Sequence, residues 1–230
     1  MMKMFDKEPT RDAHGRSAWD GSLYGARPVQ AEGLVAGTQV ATAMGWRNIS
    51  AVQAGDKVLT FDDGLQAVLR VERTWIFTDR SIPASAWPLH VPAGALGNRD
   101  DMVMLPEQAV MVESDLGEEM FGDPFTLVQA QALEGYKGIV RMAPRGATEV
   151  IKLHFAGEQV VFANIGALFH CPSSETATIA DLLEDTYVPG YEVLSLAQAR
   201  RFVEAMISED AQDAAWNRAA EAMRNVTYVA

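Results

Sequence analysis

The sequence predicts a mainly β protein with a helical C-terminal region. Three observations carry this. From Leu34 to about Phe162, short apolar runs alternate with polar residues and are separated by Gly-, Asn-, Asp- and Pro-containing turns, the two-residue period of half-buried strands. After Pro172 the apolar spacing becomes helical. The chain has 230 residues, 48% of them hydrophobic, enough to bury a core without disulfide or metal staples.

In order along the chain, residues 1–32 show no periodicity and are rich in Gly, Arg, Asp and Ser; they read as an N-terminal arm that adds a strand or binds elsewhere. Thr38–Thr42 (TQVAT) alternates, and Met44–Trp46 turns into an aromatic. Asp56–Phe61 (DKVLTF) alternates and stops at Asp62-Asp63-Gly64, a strong turn signal. Ala67–Phe77 reads as one long strand, and Pro88–Gly97 as a short strand ending in a Gly-rich turn. Asp101–Ser114 reads as two apolar strands broken near Pro106, since proline cannot donate to a central ladder. KGIVRMA and TEVIKLHFAGEQVVFAN supply the last strands, the second read as a hairpin around Ala156–Gly157. Glu175–Tyr187 has helical spacing through Ile179, Leu182 and Leu183, and Pro189-Gly190 ends it. Ser195 suits the N-cap of a helix whose inner face carries Leu196, Ala199, Phe202, Val203 and Met206. Ser208, Glu209 and Asp210 suit the start of a further helix.

Charge and composition exclude several function classes. The 19 Lys and Arg residues stand against 31 Asp and Glu, a net charge of -12. Such a surface repels nucleic acid and anionic lipid and favours basic protein partners. The single cysteine, Cys171, forms no intramolecular disulfide and no thiolate metal cluster within one chain. No window approaches the roughly 18 apolar residues of a membrane helix, and the polar start lacks a signal-peptide core. The expectation is a cytoplasmic protein without membrane insertion, with an unconventional export signal left open. No cofactor or metal is expected: His14, His90, His154 and His170 show no metal-ligand spacing.

Several strings, in their order and spacing, resemble a known family. These are GTQVATAMGWRNISAVQAGDKVLTFDDG, PLHVPAGALG, MFGDPFTLVQAQAL, EVIKLHFAGEQVVFAN and FHCP. Together they resemble the bacterial Hint domains, the fold shared by hedgehog autoprocessing domains and inteins. The resemblance covers roughly residues 33–175. It implies a curved Hint-like β-domain there, after an arm at 1–32 and before a helical region at 176–230.

The resemblance also implies self-cleavage, in which a first-residue Cys or Ser attacks the preceding carbonyl. A histidine on a second motif protonates the leaving amine. At the matching positions this chain departs. The nucleophile position is Gly33, behind Glu32, and the histidine position in Leu105-Pro106-Glu107-Gln108-Ala109 is Gln108, which delivers no proton near neutral pH. The later His, Asp and His positions are Lys152, Ala156 and Glu158, with His154 near enough to leave their register open. The expectation is a Hint-like domain without catalytic residues, no enzyme, acting as an interaction or structural accessory subunit of a larger assembly. Two alternatives stand beside it: a divergent self-processing domain using a hydroxyl such as Thr38, and a small-ligand module using the former active-site pocket.

Other residues have an ordinary reading and a functional one. Cys171 reads as a small buried hydrophobe before a displaced nucleophile, and His170 beside it points to the opposite face of a strand. Glu107, Glu113, Asp115, Glu118 and Glu119 form an acidic surface that reads as solvated, with Glu118 and Glu119 as candidate contacts to a partner. Trp46 and Trp75 read as β-core. Trp87 and Trp216 are the candidate interface anchors, although packing is the default for Trp87.

Overall fold

The computed structural model describes residues 32–78, 82–144, 146–173 and 190–227. All but the last residue of the expected arm, and the helix expected at 175–187, lie outside the described residues. Two sheets carry the described fold. The first orders β11 (Val140–Arg141), β7 (Leu89–Val91), β8 (Met102–Met104), β1 (Leu34–Val35), β12 (Gly146–His154) and β6 (Arg70–Thr78). The second orders β10 (Phe125–Gln129), β9 (Ala109–Glu113), β14 (Ala167–Cys171), β13 (Gln159–Ala163), β2 (Gln39–Thr42), β4 (Lys57–Thr60) and β5 (Gly64–Ala67), with β3 (Gly45–Asn48) also on β2. The helix α1 (Asp115–Phe121) joins β9 to β10, and α2 (Leu196–Thr227) follows the sheets.

The turns that sequence chemistry marks are where the chain changes sheet. Pro106 separates β8, on the first sheet, from β9, on the second. Ser114 caps α1 by accepting from the Leu116 N–H, and Gly122 ends it in the left-handed region. The stretch Ala67–Phe77 is two strands, because Val68 turns inward between β5 and β6 and its N–H donates to the Asp56 carbonyl.

One expected hairpin is corrected. β12 and β13 do not pair across Ala156–Gly157: β12 runs antiparallel to β6 over its full length, while β13 pairs with β14, β2 and β4. Phe155, buried at the corner, turns the chain from one sheet to the other. The signal lay in GEQVVFA, whose unbroken apolar run suits a central strand covered on both faces; Val160, Val161 and Ala163 are all fully buried.

The main core lies between the sheets, with Val40, Val58, Ile151, Val161 and Phe169 at its centre. A smaller cluster of Met111, Leu127 and Val160 sits on the outer face of the second sheet beneath Phe61, Phe125, Leu168, Tyr191 and Val193. The expected inner face of α2 is right: Ala199, Phe202, Val203 and Met206 are buried in the main core. Burying each large side chain there is worth roughly 1.5–3 kcal/mol. Ser195 accepts from the Gln198 N–H at its start. The separate helix expected from Ser208 is instead the continuation of α2, one helix of 32 residues. Ser208, Glu209 and Asp210 are solvent-exposed within it.

Trp46 and Trp75 are also corrected. They are 41% and 59% exposed: no residue of β3 is buried, and Trp75 shares the exposed face of β6 with Arg73. The turn from β13 to β14 packs its backbone on the Gly94–Gly97 loop; a Cβ on Gly166 would lie 2.1 Å from the Gly97 carbonyl oxygen. This close approach holds Asn164 and Ile165 at φ of 45° and 72°.

Candidate functional site

The start of β1, the loop before β9 and the ends of β12 and β14 meet at one small cavity. Glu32, Gly33, Gln108, Lys152, His154 and Cys171 are among its lining. Its volume is about 20 Å³, room for a single water and no more. Three of the five positions singled out in the sequence, Gly33, Gln108 and Lys152, therefore converge, while Ala156 and Glu158 are not among the lining.

Gln108 is the centre of this site. It is 1% exposed, and its carboxamide joins three chain segments. Oε1 accepts from the Gly33 N–H at 3.1 Å, while Nε2 donates to the carbonyls of Ala109 at 2.8 Å and His170 at 2.9 Å. A neutral amide suits this place because it accepts and donates at once without a buried charge. The same amide thus binds the nitrogen of the Glu32–Gly33 peptide bond.

Gly33 sits at φ 126°, and a Cβ there would lie 2.5 Å from Val150 Cγ1. The backbone and the Val150 side chain together exclude any larger residue without movement. On the other side of the bond, the Lys152 Nζ pairs with Glu32 at 3.2 Å. Lys152 and His154 share a face of β12. The mostly buried His154 ring has Nε2 3.3 Å from a Glu72 carboxylate oxygen. Burial works to raise the Glu72 pKa, but the hydrogen bonds and charges of Arg70 and His154 outweigh it and hold the carboxyl below its usual value.

Cys171 lines the cavity from the core side and is 3% exposed. Burial first, and the Glu32 charge second, push its thiol up to about 12. At neutral pH it is a thiol with negligible thiolate, inert as a nucleophile. No serine or threonine is among the described residues lining the cavity. Thr38 lines a different cavity with Gly37, Asp101 and Asn164, and its backbone N–H closes the turn onto Val35.

Glu158, the last of these positions, stands behind the cavity rather than in it. One oxygen meets His170 Nε2 at 2.5 Å and the other accepts from the Tyr191 N–H at 3.2 Å. It ties β14 to a strap, residues 190–194, that crosses the outer cluster. Tyr191 donates its hydroxyl to Asp62, and its ring stands edge-on to His170 at 5.9 Å. Burial, then Asp62, raise the Tyr191 pKa. The strap was not read from sequence; Tyr191 and Val193 as alternate apolar residues just after Pro189-Gly190 were the available signal.

Of the candidate interface residues, Trp216 is 76% exposed, and Glu118 and Glu119 are exposed on α1. Trp87 is half-buried, and its indole N–H donates to the Ile82 carbonyl at 3.1 Å. Among the described residues no group of three or more His, Cys, Asp or Glu side chains is placed to hold a metal ion. No described helix is long and apolar enough to cross a membrane.

The two sheets, with the first strand starting against the end of the last, form a Hint-type β fold. Residues 33–169 match the Hint domain family, and the chain belongs to it. Among solved structures it is similar to a bacterial intein-like domain from Clostridium thermocellum. That match has 19% identity and a TM-score of 0.42, over 60% of this chain and 98% of that one. It is also similar to the gp41-1 intein, at 18% identity and a TM-score of 0.37, over 59% of this chain and 96% of that one. The MchDnaB-1 intein matches at 12% identity and a TM-score of 0.37, over 59% of this chain and 98% of that one. No curated protein matches this chain.

Proposed function

We propose that this is a Hint domain without self-cleaving activity, kept as an interaction or structural subunit of a larger assembly. The observation that carries the reading is the Gln108 clamp. Where cleavage needs a proton donor for the leaving nitrogen, the Gln108 carboxamide oxygen instead accepts a hydrogen bond from that nitrogen's N–H. The other half of the chemistry fails with it: Gly33 has no attacking atom, and Cys171 is held as a neutral thiol.

The alternatives find less support. Thr38 lies in another cavity, which speaks against its attack on the Glu32–Gly33 bond. A cavity of about 20 Å³ is far below the roughly 300–1,000 Å³ of small-molecule pockets, which speaks against a ligand module at this site. An interaction role draws on the surface instead: a net charge of -12 and exposed apolar residues such as Trp46, Trp75 and Trp216. Cross-linking and native size measurement in source cells test it. The expected result is a stable complex with another protein; a monomer without cross-links contradicts it.

A further inference from the structure

We propose that the groove beside β10 is the docking site for an extended segment of a partner protein, one in which a Lys or Arg side chain stands beside an aromatic or large aliphatic one. This deepens the interaction reading above and rests on it.

The groove exists because the strap does not complete β10's edge. Leu194 donates to the Leu127 carbonyl and Val193 bridges Leu127, but the strap then diverges and leaves an open cleft of about 650 Å³. Its volume is that of a ligand-binding cleft, some thirty times the cavity at Gln108. The walls are aromatic. Phe61 meets Phe125 edge-to-face at 4.8 Å, Tyr191 stands on the strap, and Phe121 forms the rim at 39% exposure.

Charge identifies the occupant. Asp62, Asp123 and Glu192 are exposed carboxylates of the lining, and no Lys or Arg is among the described residues that line it. Asp62 accepts the Tyr191 hydroxyl, and one oxygen of Asp123 accepts the Phe125 N–H, so both carboxylates are held in place. Fixed negative charge around aromatic faces suits a guanidinium or ammonium group, with the ring faces adding cation–π attraction. The same charge repels two occupants that this chain could offer. Residues 174–189 carry Glu175, Asp181, Glu184 and Asp185 and no basic residue, and a second copy brings another net charge of -12. A partner segment of opposite charge fits the groove, and residues 1–31, with Lys3, Lys7, Arg11, Arg16 and Arg27 against Asp6, Glu8, Asp12 and Asp20, are the competing occupant that the cross-link below separates from it.

The test is selection of a random linear-peptide display library on the full chain, followed by affinity measurement on an enriched peptide. The enriched peptides are expected to carry Lys or Arg beside Phe, Trp, Tyr or Leu. The double variant Asp123→Asn with Glu192→Gln is expected to weaken binding about five- to tenfold at low salt. That gap should narrow as salt rises. Both side chains are exposed, and the Asp123→Asn change keeps a side-chain oxygen to cap the Phe125 N–H, so the variant folds. Phe121→Ser should weaken the same peptide. Enriched peptides without basic residues, or full affinity in the double variant, overturn the proposal. So does a photo-reactive amino acid in place of Glu192 that cross-links to residues 1–31 of the same chain. An uncut chain that selects no basic peptide defeats only the groove assignment, whereas a chain cut at Glu32–Gly33 defeats the parent reading.

Discussion

Replacing Gln108 by methionine keeps most of the side chain's volume and removes all its hydrogen bonding. In the folded chain this carboxamide satisfies the Gly33 N–H and donates to two carbonyls, from a position 1% exposed. Each buried polar group left without a partner costs about 1–3 kcal/mol. The Gly33 N–H bears the largest share, because a carbonyl has a second lone pair to use elsewhere. The total is about 3–5 kcal/mol, and for a chain of this length each kcal/mol moves Tm by about 2–4 °C. Thermal unfolding followed by circular dichroism should therefore show Gln108→Met melting about 6–20 °C below the parent chain. Gln212→Met, on the exposed part of α2, is the control and should shift Tm by less than about 2 °C. A Gln108→Met variant that melts with the control refutes the clamp.

Three further predictions follow from the same geometry. Gly33→Ala forces a Cβ to 2.5 Å from Val150 Cγ1 at φ 126°, so urea unfolding should show a loss of about 2 kcal/mol or more; an unchanged midpoint contradicts this. Ile165→Gly relieves a β-branched residue at φ 72°, and should gain up to about 1 kcal/mol after the larger entropy loss of glycine is subtracted, read as a rise in Tm. Cys171 should resist iodoacetamide at pH 8 until the chain is unfolded. Its folded pKa of about 12 lies above the ordinary 9.0, so its contribution to stability is complete below about pH 9 and lost as pH rises from there toward 12. The loss is at most about 1.4 kcal/mol per pH unit. Cys171→Val should flatten the alkaline limb of the Tm-versus-pH curve, though Tyr191, raised for the same reason, keeps part of it.

Much of the fold was legible because its signals are local. The alternation in TQVAT and DKVLTF, the turn at Asp62-Asp63-Gly64 and the inner face of α2 each depend on neighbours within a few residues. Strand partnering is not local. The alternation of TEVIKLH and the apolar run of QVVFA permit a hairpin, and only the competition of β6 for β12 and of β14 for β13 places them on different sheets. Trp46 and Trp75 failed for a related reason: an aromatic on a strand reveals its period, but not which face the second sheet covers. At the site, the resemblance brought Gly33, Gln108 and Lys152 together across a separation of 119 residues at most, between Gly33 and Lys152. What it did not reveal is the work Gln108 does, because hydrogen bonds to backbone atoms leave no pattern in side-chain identity. Glu158 was legible as a position but not as a tie to Tyr191, since the strap lies beyond the segment that carries the resemblance.

The most direct measurement is the intact mass of the full chain carrying a folded protein domain fused upstream of Met1, incubated with and without added thiol. A single species at the fusion mass is expected under both conditions, because Gly33 carries no side-chain nucleophile and Gln108 accepts a hydrogen bond from the nitrogen that would have to leave. Release of a fragment ending at Glu32, with the remainder starting at Gly33, would contradict it.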